Sequence, residues 1–420
     1  MQSVLLKINA LEKRDIVSRL FSISFYIFIV FFIAFEGHTS LSSLASYGLY
    51  FFILCGGVYL VVKRKVRFNY YIILMAMFGF VLLVSYLYTP NPAEAFSHLY
   101  RYFTLIVIVI LAYCYLDSES RINFVMRAFM HGGVLLAFLF YLTYGADLIA
   151  QILGGGSLGR IGESLGNVNT VGMSTAISVF ISFYFLLQKK SRFKILYIFI
   201  ILVAFPIVFF TASKKALVIL IMGVFFALYI AQSRRDVVSL FKSIFILVLV
   251  LFVSLIIFNQ LPIFSLIYKR ILNFILSLMS SAEGSLSDSH RIDMIIIGLT
   301  DFSKSPLFGR GIYSSYSLFE TYSHNNYVEV LLSTGLVGFL IYYLSYVISF
   351  FFISKSTHLN AKLRDLLLFL LITIIIIEVS LVTYYSRYFH ILLTTIAAAT
   401  TLPKNIQQEG IDYEYSEENK

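Results

Sequence analysis

Charge and cysteine are scarce in this sequence, and each scarcity excludes a class of protein. Charged residues make up 13% of the 420 positions and hydrophobic residues 59%, whereas soluble domains carry about 25% charged residues. The two cysteines, Cys55 and Cys114, lie inside apolar runs, which excludes a disulfide scaffold. The apolar blocks of roughly 17 to 25 residues can cross a bilayer as helices and lack the short alternation of a β-barrel. The sequence predicts an all-α integral membrane protein.

Twelve apolar blocks predict about twelve transmembrane helices. They lie near residues 17–35, 44–62, 69–88, 98–116, 122–144, 170–188, 195–211, 216–232, 238–258, 326–354, 366–385 and 388–402. Clusters of Lys and Arg at 63–67, 189–194, 234–235 and 355–364 all fall on one side of this count. Because cytoplasmic loops carry the excess of Lys and Arg, that side is predicted to be the cytoplasm, and both termini face it.

These spans divide the chain into four parts. Residues 1–258 hold transmembrane helices 1–9 with a Gly-rich extracytoplasmic loop at 145–169, residues 259–325 form a large extracytoplasmic loop, residues 326–402 hold helices 10–12, and residues 403–420 are a cytoplasmic tail. The large loop is predicted to contain short helices. One would begin at Ser287 or Asp288, stop before Pro306 and lie along the membrane surface or over the bundle through an apolar stripe. The stripe consists of Ile292, Ile295, Ile296, Leu299 and Phe302.

Basic residues in the outward loops run against the topology rule. They are Arg160 in loop 145–169, Lys214 and Lys215 between two spans, Lys269, Arg270, Arg291, Lys304 and Arg310 in the large loop, and Arg387. Cations from several separated segments at a membrane face favour a shared anionic ligand, although any one of them could be a solvated loop residue. The two lysines either snorkel or place an amine, as a point charge, against a phosphate.

Two loop segments carry further candidate residues. The Gly-rich loop holds Arg160 and Glu163 and enters a helix through Asn167 and Asn169, where close backbone approach and a helix N-terminus suit phosphate; a plain connector is the alternative. His324 lies where the large loop meets the tenth span. It is predicted to be a general base or an orienting group, and the alternative is that its ring caps the helix.

The order of these motifs resembles the O-antigen ligase and polymerase superfamily over about 155–345. The motifs are an Arg in a Gly-rich loop before Asn-x-Asn, a Thr-x-Ser-basic turn at 211–214, a Ser-x-Arg helix ending in Pro-Leu-x-Gly-x-Gly at 306–311, and His-Asn-x-Tyr at 324–327 followed by Gly335 and Gly338. The resemblance implies a GT-C-like glycosyltransferase. It would take glycan from an undecaprenyl diphosphate carrier and need no nucleotide sugar, cofactor or metal.

The resemblance also implies roles for individual residues. The basic residues of the family correspond to Arg160, Lys214 and Arg291, and its histidine to His324. Lys214 replaces the usual Arg, so charge neutralisation survives while bidentate phosphate binding is in doubt, and the usual Trp after the Ser-x-Arg segment is missing. The wider substrate-binding set is Lys215, Arg270, Arg310, Asn167, Asn169, Asn325 and Tyr327.

Chemistry follows from these roles. Fixed cations stabilise negative charge on the leaving diphosphate, and His324, or Glu163 as second choice, takes the proton of the acceptor hydroxyl. A single displacement would invert the anomeric centre.

Three functions remain open at this point. A polymerase for O-antigen or capsule extends a lipid-linked repeat unit, and the surplus of outward cations favours it because two lipid diphosphates must be bound. A ligase would move the glycan to lipid A-core. A transporter would need charges within the spans and repeated halves; no repeat is present, and the charged or titratable groups in the spans could serve helix packing or acceptor binding. Those groups are Arg101, Arg127, His131 and Glu378.

The expected setting is the bacterial cytoplasmic (inner) membrane. The site would face the periplasm or the cell exterior, and the substrates would be undecaprenyl diphosphate-linked donor and acceptor oligosaccharides. Beyond the lipid bilayer, the expected partners are a chain-length regulator and a flippase, and no nucleic acid is expected.

Overall fold

The computed structural model describes residues 2–64, 66–153, 161–188, 193–232, 237–260 and 286–402, and within these ranges it contains helices and no strands. The helices are α1 (Gln2–Phe35), α2 (Ser42–Lys63), α3 (Tyr70–Tyr86), α4 (Pro92–Tyr115), α5 (Glu119–Leu153), α6 (Val168–Leu186), α7 (Lys194–Phe210), α8 (Lys214–Ala231), α9 (Val237–Gln260), α10 (Leu286–Phe302), α11 (Ser315–Phe319), α12 (Asn326–Ser354), α13 (Ala361–Ile377) and α14 (Arg387–Thr400), with a 3-10 turn at Glu163–Leu165. The all-helical prediction is confirmed for this part of the chain.

Each of the twelve predicted spans coincides with a helix. Among the described residues, seven helices are long and apolar enough to cross a membrane: α1, α2, α4, α5, α6, α8 and α12. Shorter apolar helices occur at Tyr70–Tyr86, Lys194–Phe210 and Val238–Leu249. These helices make the chain a multi-pass membrane protein, while the count of twelve, the GT-C-like arrangement and the orientation stay predictions.

Two predicted boundaries differ from the structure. Helix α5 continues to Leu153, past the predicted start of the Gly-rich loop at residue 145. Helix α13 ends at Ile377, so the predicted end of the eleventh span at residue 385 is wrong. Hydropathy does not detect this end because apolar residues continue beyond Glu378, whose buried carboxylate accepts hydrogen bonds from two tyrosine hydroxyls on α12.

Helix α6 stands at the centre of the bundle. In its most apolar window 83% of residues are buried, against 28–44% in the other candidate spans. It contacts α5, α7 and α8, and the hydroxyl of Ser178 donates to the carbonyl oxygen of Met130 on α5 at 2.7 Å. Small and hydroxyl side chains permit such close helix approach inside a membrane. Because α6 is central, its N-terminus holds the preceding segment 161–167 close to the axis of the helix bundle.

Helix α12 is broken at Gly335, which has φ of 64° and ψ of −164°. A β-carbon at this position would lie 2.3 Å from the carbonyl oxygen of Leu307, so only glycine fits. The amides freed by the break are used, because the N–H of Leu336 donates to the Pro306 carbonyl oxygen at 2.9 Å. The break thus fastens the Pro306–Gly309 segment to the middle of α12.

Helix α10 confirms the helix predicted between Ser287 and Pro306, but its apolar stripe does not pack on the bundle. Ile292, Ile296 and Leu299 are exposed, whereas Met294 and Gly298 are buried. A β-carbon on Gly298 would lie 2.5 Å from Cγ1 of Val328 on α12. The helix therefore rests on the bundle with its small residues and leaves its isoleucines outward, as a helix at a membrane surface does.

The loops predicted to face outward come together at one end of the bundle. Gly37 lies against Leu165 and Gly166, the N–H of Ile161 donates to the Phe210 carbonyl oxygen at 3.2 Å, and the Tyr88 hydroxyl donates to the Phe308 carbonyl oxygen at 2.7 Å. The N-termini of α6, α8, α12 and α14 lie at the same end. Because helix N-termini carry partial positive charge, this end favours anions.

Candidate functional site

His324 occupies a constrained position at the entrance to α12. Its backbone has φ of 56°, and its ring centroid lies 4.1 Å from that of Tyr322. Within the part of the chain that the structure describes, its buried Nδ1 has no hydrogen-bond partner. Asn325 provides the helix cap, since its Oδ1 accepts from the Val328 N–H at 3.0 Å. The alternative that the His324 ring caps this helix is therefore wrong, and the imidazole is left for another use.

Three basic side chains on two other helices act electrostatically on His324. Burial, together with the positive charges of Arg291 on α10 and Lys215 on α8 and a contribution from His290, lowers the pKa of His324 to about 4. Arg291 also acts on Tyr322, where it opposes the rise in the pKa of that hydroxyl caused by burial. We call Lys215, Arg291 and His324 the His324 cluster. It brings together residues from three segments that lie far apart in the sequence.

Lys214 and Lys215 begin α8 directly after its cap. The Ser213 hydroxyl accepts from the Ala216 N–H at 3.3 Å, which fixes the first turn. Lys215 is 7% exposed and Lys214 is half-buried. Cations at a helix N-terminus oppose the helix dipole, so this turn concentrates positive charge where an anion would be stabilised.

The segment after the Gly-rich stretch lies beside this turn. Its Ile161 N–H bonds to the last turn of α7, and Glu163 starts the exposed 3-10 turn. Asn167 caps α6 by accepting from the Asn169 N–H at 2.9 Å, and Asn169 lies half-buried in the first helical turn. Arg160 lies outside the described residues, so its role stays a prediction.

Several predicted binding residues make contacts within the protein. The Asn325 side-chain amide also donates to the Val379 carbonyl oxygen at 3.0 Å, and the Tyr327 hydroxyl donates to the Ile375 carbonyl oxygen at 2.8 Å. Arg310 pairs with the buried Asp301 at 3.4 Å on the outer part of the site. These contacts hold the entrance of α12 in place, and substrate binding by these residues stays a prediction. Arg270 lies outside the described residues.

Two buried carboxylates hold α12 and the loop before it in place, and neither was predicted to do so. Glu329 accepts from the Ser323 N–H at 2.9 Å and from the Ser315 hydroxyl at 2.7 Å. Glu378 accepts from the hydroxyls of Tyr343 at 3.0 Å and Tyr346 at 2.6 Å. The available signal was their place in otherwise apolar stretches, because a carboxylate buried in a membrane protein must be hydrogen-bonded.

Residues 199–343 match the family model described as O-Antigen ligase. The match confirms the O-antigen ligase and polymerase superfamily that the motifs predict. No curated protein sequence matches the chain. The O-antigen ligase region contains all three members of the His324 cluster, and the family implies a glycosyl-transferring enzyme in general. Arg160 and Glu163 precede the matched region.

The arrangement can bind an anion and accept a proton at adjacent points. The guanidinium of Arg291 makes no hydrogen bond or ion pair with any described residue and is half-buried, while the neutral ring of His324 has a nitrogen available. Among the described residues, no group of three or more His, Cys, Asp or Glu side chains is placed to hold a metal ion. Metal independence stays a prediction.

Proposed function

We propose that this protein is an O-antigen or capsule polymerase that transfers a growing glycan from undecaprenyl diphosphate to the next lipid-linked repeat unit. The observation that supports the proposal is the His324 cluster, in which a neutral histidine lies beside two cations at the end of the bundle where four helix N-termini meet. The O-antigen ligase family match supports glycosyl transfer between lipid-linked substrates.

The cations serve the leaving group. When the bond between the anomeric carbon and the diphosphate breaks, negative charge grows on the phosphate oxygens, and Arg291 and Lys215 stabilise it electrostatically. Arg291 can do so through two parallel hydrogen bonds, whereas Lys215 acts as a point charge. Arg160 is the third cation of this donor site in the proposal.

His324 serves the acceptor. The hydroxyl of the incoming sugar attacks the anomeric carbon, the carbon–phosphate oxygen bond breaks, and the hydroxyl proton passes to the imidazole. A pKa lowered to about 4 keeps the ring neutral and able to accept this proton at physiological pH. As the diphosphate docks against the neighbouring cations, its negative charge raises the pKa of the ring and so makes it a stronger base. A single displacement inverts the anomeric centre.

A direct assay separates polymerase from ligase and transporter. Purified protein in lipid nanodiscs receives a long lipid-linked glycan and a fluorescently labelled single lipid-linked repeat, and the products are resolved by gel. A labelled ladder supports the polymerase. Label transfer that requires lipid A-core as acceptor would instead establish the ligase, and the absence of any new glycosidic bond, with carrier moved across the bilayer, would establish a transporter.

A further inference from the structure

A second group of charges lies at the same end of the bundle, outside the O-antigen ligase region. It consists of Glu36 in the α1–α2 loop, Arg101 on α4 and Arg387 at the start of α14, and we call it the Glu36 cluster. The Arg387 guanidinium lies over the Phe32 ring at 6.0 Å, and the Glu36 N–H donates to the Phe32 carbonyl oxygen at 3.2 Å. Arg387 therefore lies one helical turn from Glu36 on the same face of α1.

These charges act on one another without a direct ion pair. Both arginines act electrostatically on Glu36, yet among the described residues no ion pair within 4.0 Å joins the carboxylate to either of them. Arg101 and Glu36 keep exposed surface, and Arg387 is half-buried. Two guanidinium groups that share one carboxylate leave a net positive charge, which favours a further anion.

The Glu36 cluster adjoins the segment that leads to the donor site. A β-carbon on Gly166 would lie 2.6 Å from the Cα of Gly37, and one on Gly37 would lie 2.8 Å from the Leu165 carbonyl oxygen. Gly166 also has φ of 113°, so the contact needs glycine on both sides. The Glu36 loop thus touches segment 161–166, whose other end is hydrogen-bonded beside the α8 turn that carries Lys215.

Aromatic rings line the space between the two clusters. His98 lies one helical turn before Arg101, stacks on Tyr313 at 4.3 Å and meets Tyr385 at 5.1 Å. Tyr385 is within electrostatic reach of both Arg101 and Tyr322, and Tyr322 packs on His324. Rings with a few polar groups are the usual lining of a ligand pocket. An acceptor anchored at the arginines could lie along this wall with its hydroxyl at His324.

We propose that Arg101 and Arg387 bind the diphosphate of the acceptor, a second lipid-linked repeat unit, at a site separate from that of the donor. This inference rests on the proposed glycosyl transfer. It deepens that proposal because it gives each of the two lipid diphosphates its own set of cations. A phosphate group is the shared chemistry of the two candidate acceptors, a lipid-linked repeat and a phosphorylated lipid A-core.

Glu36 controls the charge of this site. Burial raises the pKa of its carboxyl to about 7, although the positive charges of Arg387 and Arg101 lower it. The side chain has exposed surface, and the dense protein around its loop accounts for the desolvation. A protonated Glu36 leaves two uncompensated cations for the phosphate, whereas an ionised Glu36 competes with it.

The decisive experiment measures acceptor and donor dependence separately. Purified Arg101→Gln, Arg387→Gln and the double variant are assayed with the long lipid-linked donor held saturating while the labelled acceptor is varied. Each single change should raise the KM for acceptor roughly tenfold to a hundredfold and leave the KM for donor within about twofold. Lys304→Gln is the matched control, since it removes an exposed cation at the same end that is paired with Asp301. Equal effects on both KM values, or none on the acceptor, would overturn the proposal.

A binding measurement distinguishes failure of this inference from failure of the proposed function. Radiolabelled geranyl diphosphate is titrated onto nanodisc-embedded protein without any glycan substrate. Wild type should bind two molecules of geranyl diphosphate. The Arg101→Gln/Arg387→Gln double variant should bind one, at the donor site, and Arg291→Ala should bind one, at the acceptor site. Two sites retained in the double variant would refute the Glu36 cluster as a phosphate site, whatever the enzyme transfers. Competition by a phosphorylated lipid A-core and not by a lipid-linked repeat would assign the site to a ligase acceptor.

Discussion

The two clusters differ in how the chain builds them. The His324 cluster consists of one loop residue and two helical residues inside the O-antigen ligase region, and two of its three members, Arg291 and His324, belong to recognisable motifs. The Glu36 cluster combines a loop carboxylate with one arginine inside α4 and one at the start of α14, all outside that region. A glycosyl-transferring family needs the same chemistry at the leaving group but different acceptors. If both proposals hold, the shared step resides in the motifs and acceptor choice resides in residues outside them.

The prediction with the largest expected effect tests whether both clusters face the same side of the membrane. In a variant without Cys55 and Cys114, single cysteines at Ser40 and Ser317 should react fully with an impermeant maleimide added to spheroplasts, because both positions are exposed at the shared end of the bundle. A cysteine at Ser191, in a predicted cytoplasmic loop, should react only after lysis. Opposite labelling of Ser40 and Ser317 would separate the clusters and remove the basis for a common cavity.

Loss of the donor cations should abolish glycan transfer. Arg291→Ala and Arg160→Ala remove charge stabilisation from the leaving diphosphate, and each should lower kcat by at least about 10²- to 10³-fold. Both variants should still insert into the membrane. Their melting temperatures, measured by thermal denaturation in detergent, should equal that of wild type. Full activity in either variant would exclude that arginine from the donor site, and Lys304→Gln again serves as the control for charge alone.

Replacement of His324 should slow chemistry and leave donor binding intact. His324→Ala should lower kcat roughly 10²- to 10⁴-fold, and His324→Gln should be no better because an amide cannot take a proton at neutral pH. With a pKa of about 4 in the free enzyme, the acidic limb of wild-type kcat/KM should lie near pH 4, well below the usual pH 6.5. Native activity in His324→Gln would make the residue structural, and Glu163 would be the next base to test.

The prediction with the smallest expected effect concerns how the ionisation of Glu36 changes the stability of the protein with pH. Its pKa in the folded protein, about 7, exceeds the ordinary value of 4.5, so stability present below pH 4.5 is lost as pH rises to about 7. The melting temperature of wild type should therefore fall relative to Glu36→Gln between pH 4.5 and 7 and then run parallel to it. Arg101 and Arg387 are the charged groups that oppose this shift, so Arg387→Gln should enlarge the difference. Parallel curves throughout would place Glu36 in open solvent.

Hydropathy and local motifs predicted the helices and the His324 cluster because both signals are contained in short stretches of sequence. The side of α10 that packs on the bundle could not be predicted, since an apolar stripe such as Ile292, Ile296 and Leu299 can contact lipid as well as protein. Asn325 as the cap of α12 was predictable, because Asn is a preferred cap residue and histidine is not. The Glu36 cluster depends on contacts among α1, α4 and α14, so only the folded chain reveals it.

The break in α12 also determines which parts of the site can move relative to one another. The Pro306–Gly309 segment seated at Gly335 follows α10, and α10 packs on the first half of α12. Arg291 and His324 are therefore carried by one mechanical unit and keep their spacing when that unit tilts. Lys215 belongs to α8, whose main neighbour is the central α6. A change in the separation of the lysine from the arginine–histidine pair would thus leave the geometry of that pair undisturbed.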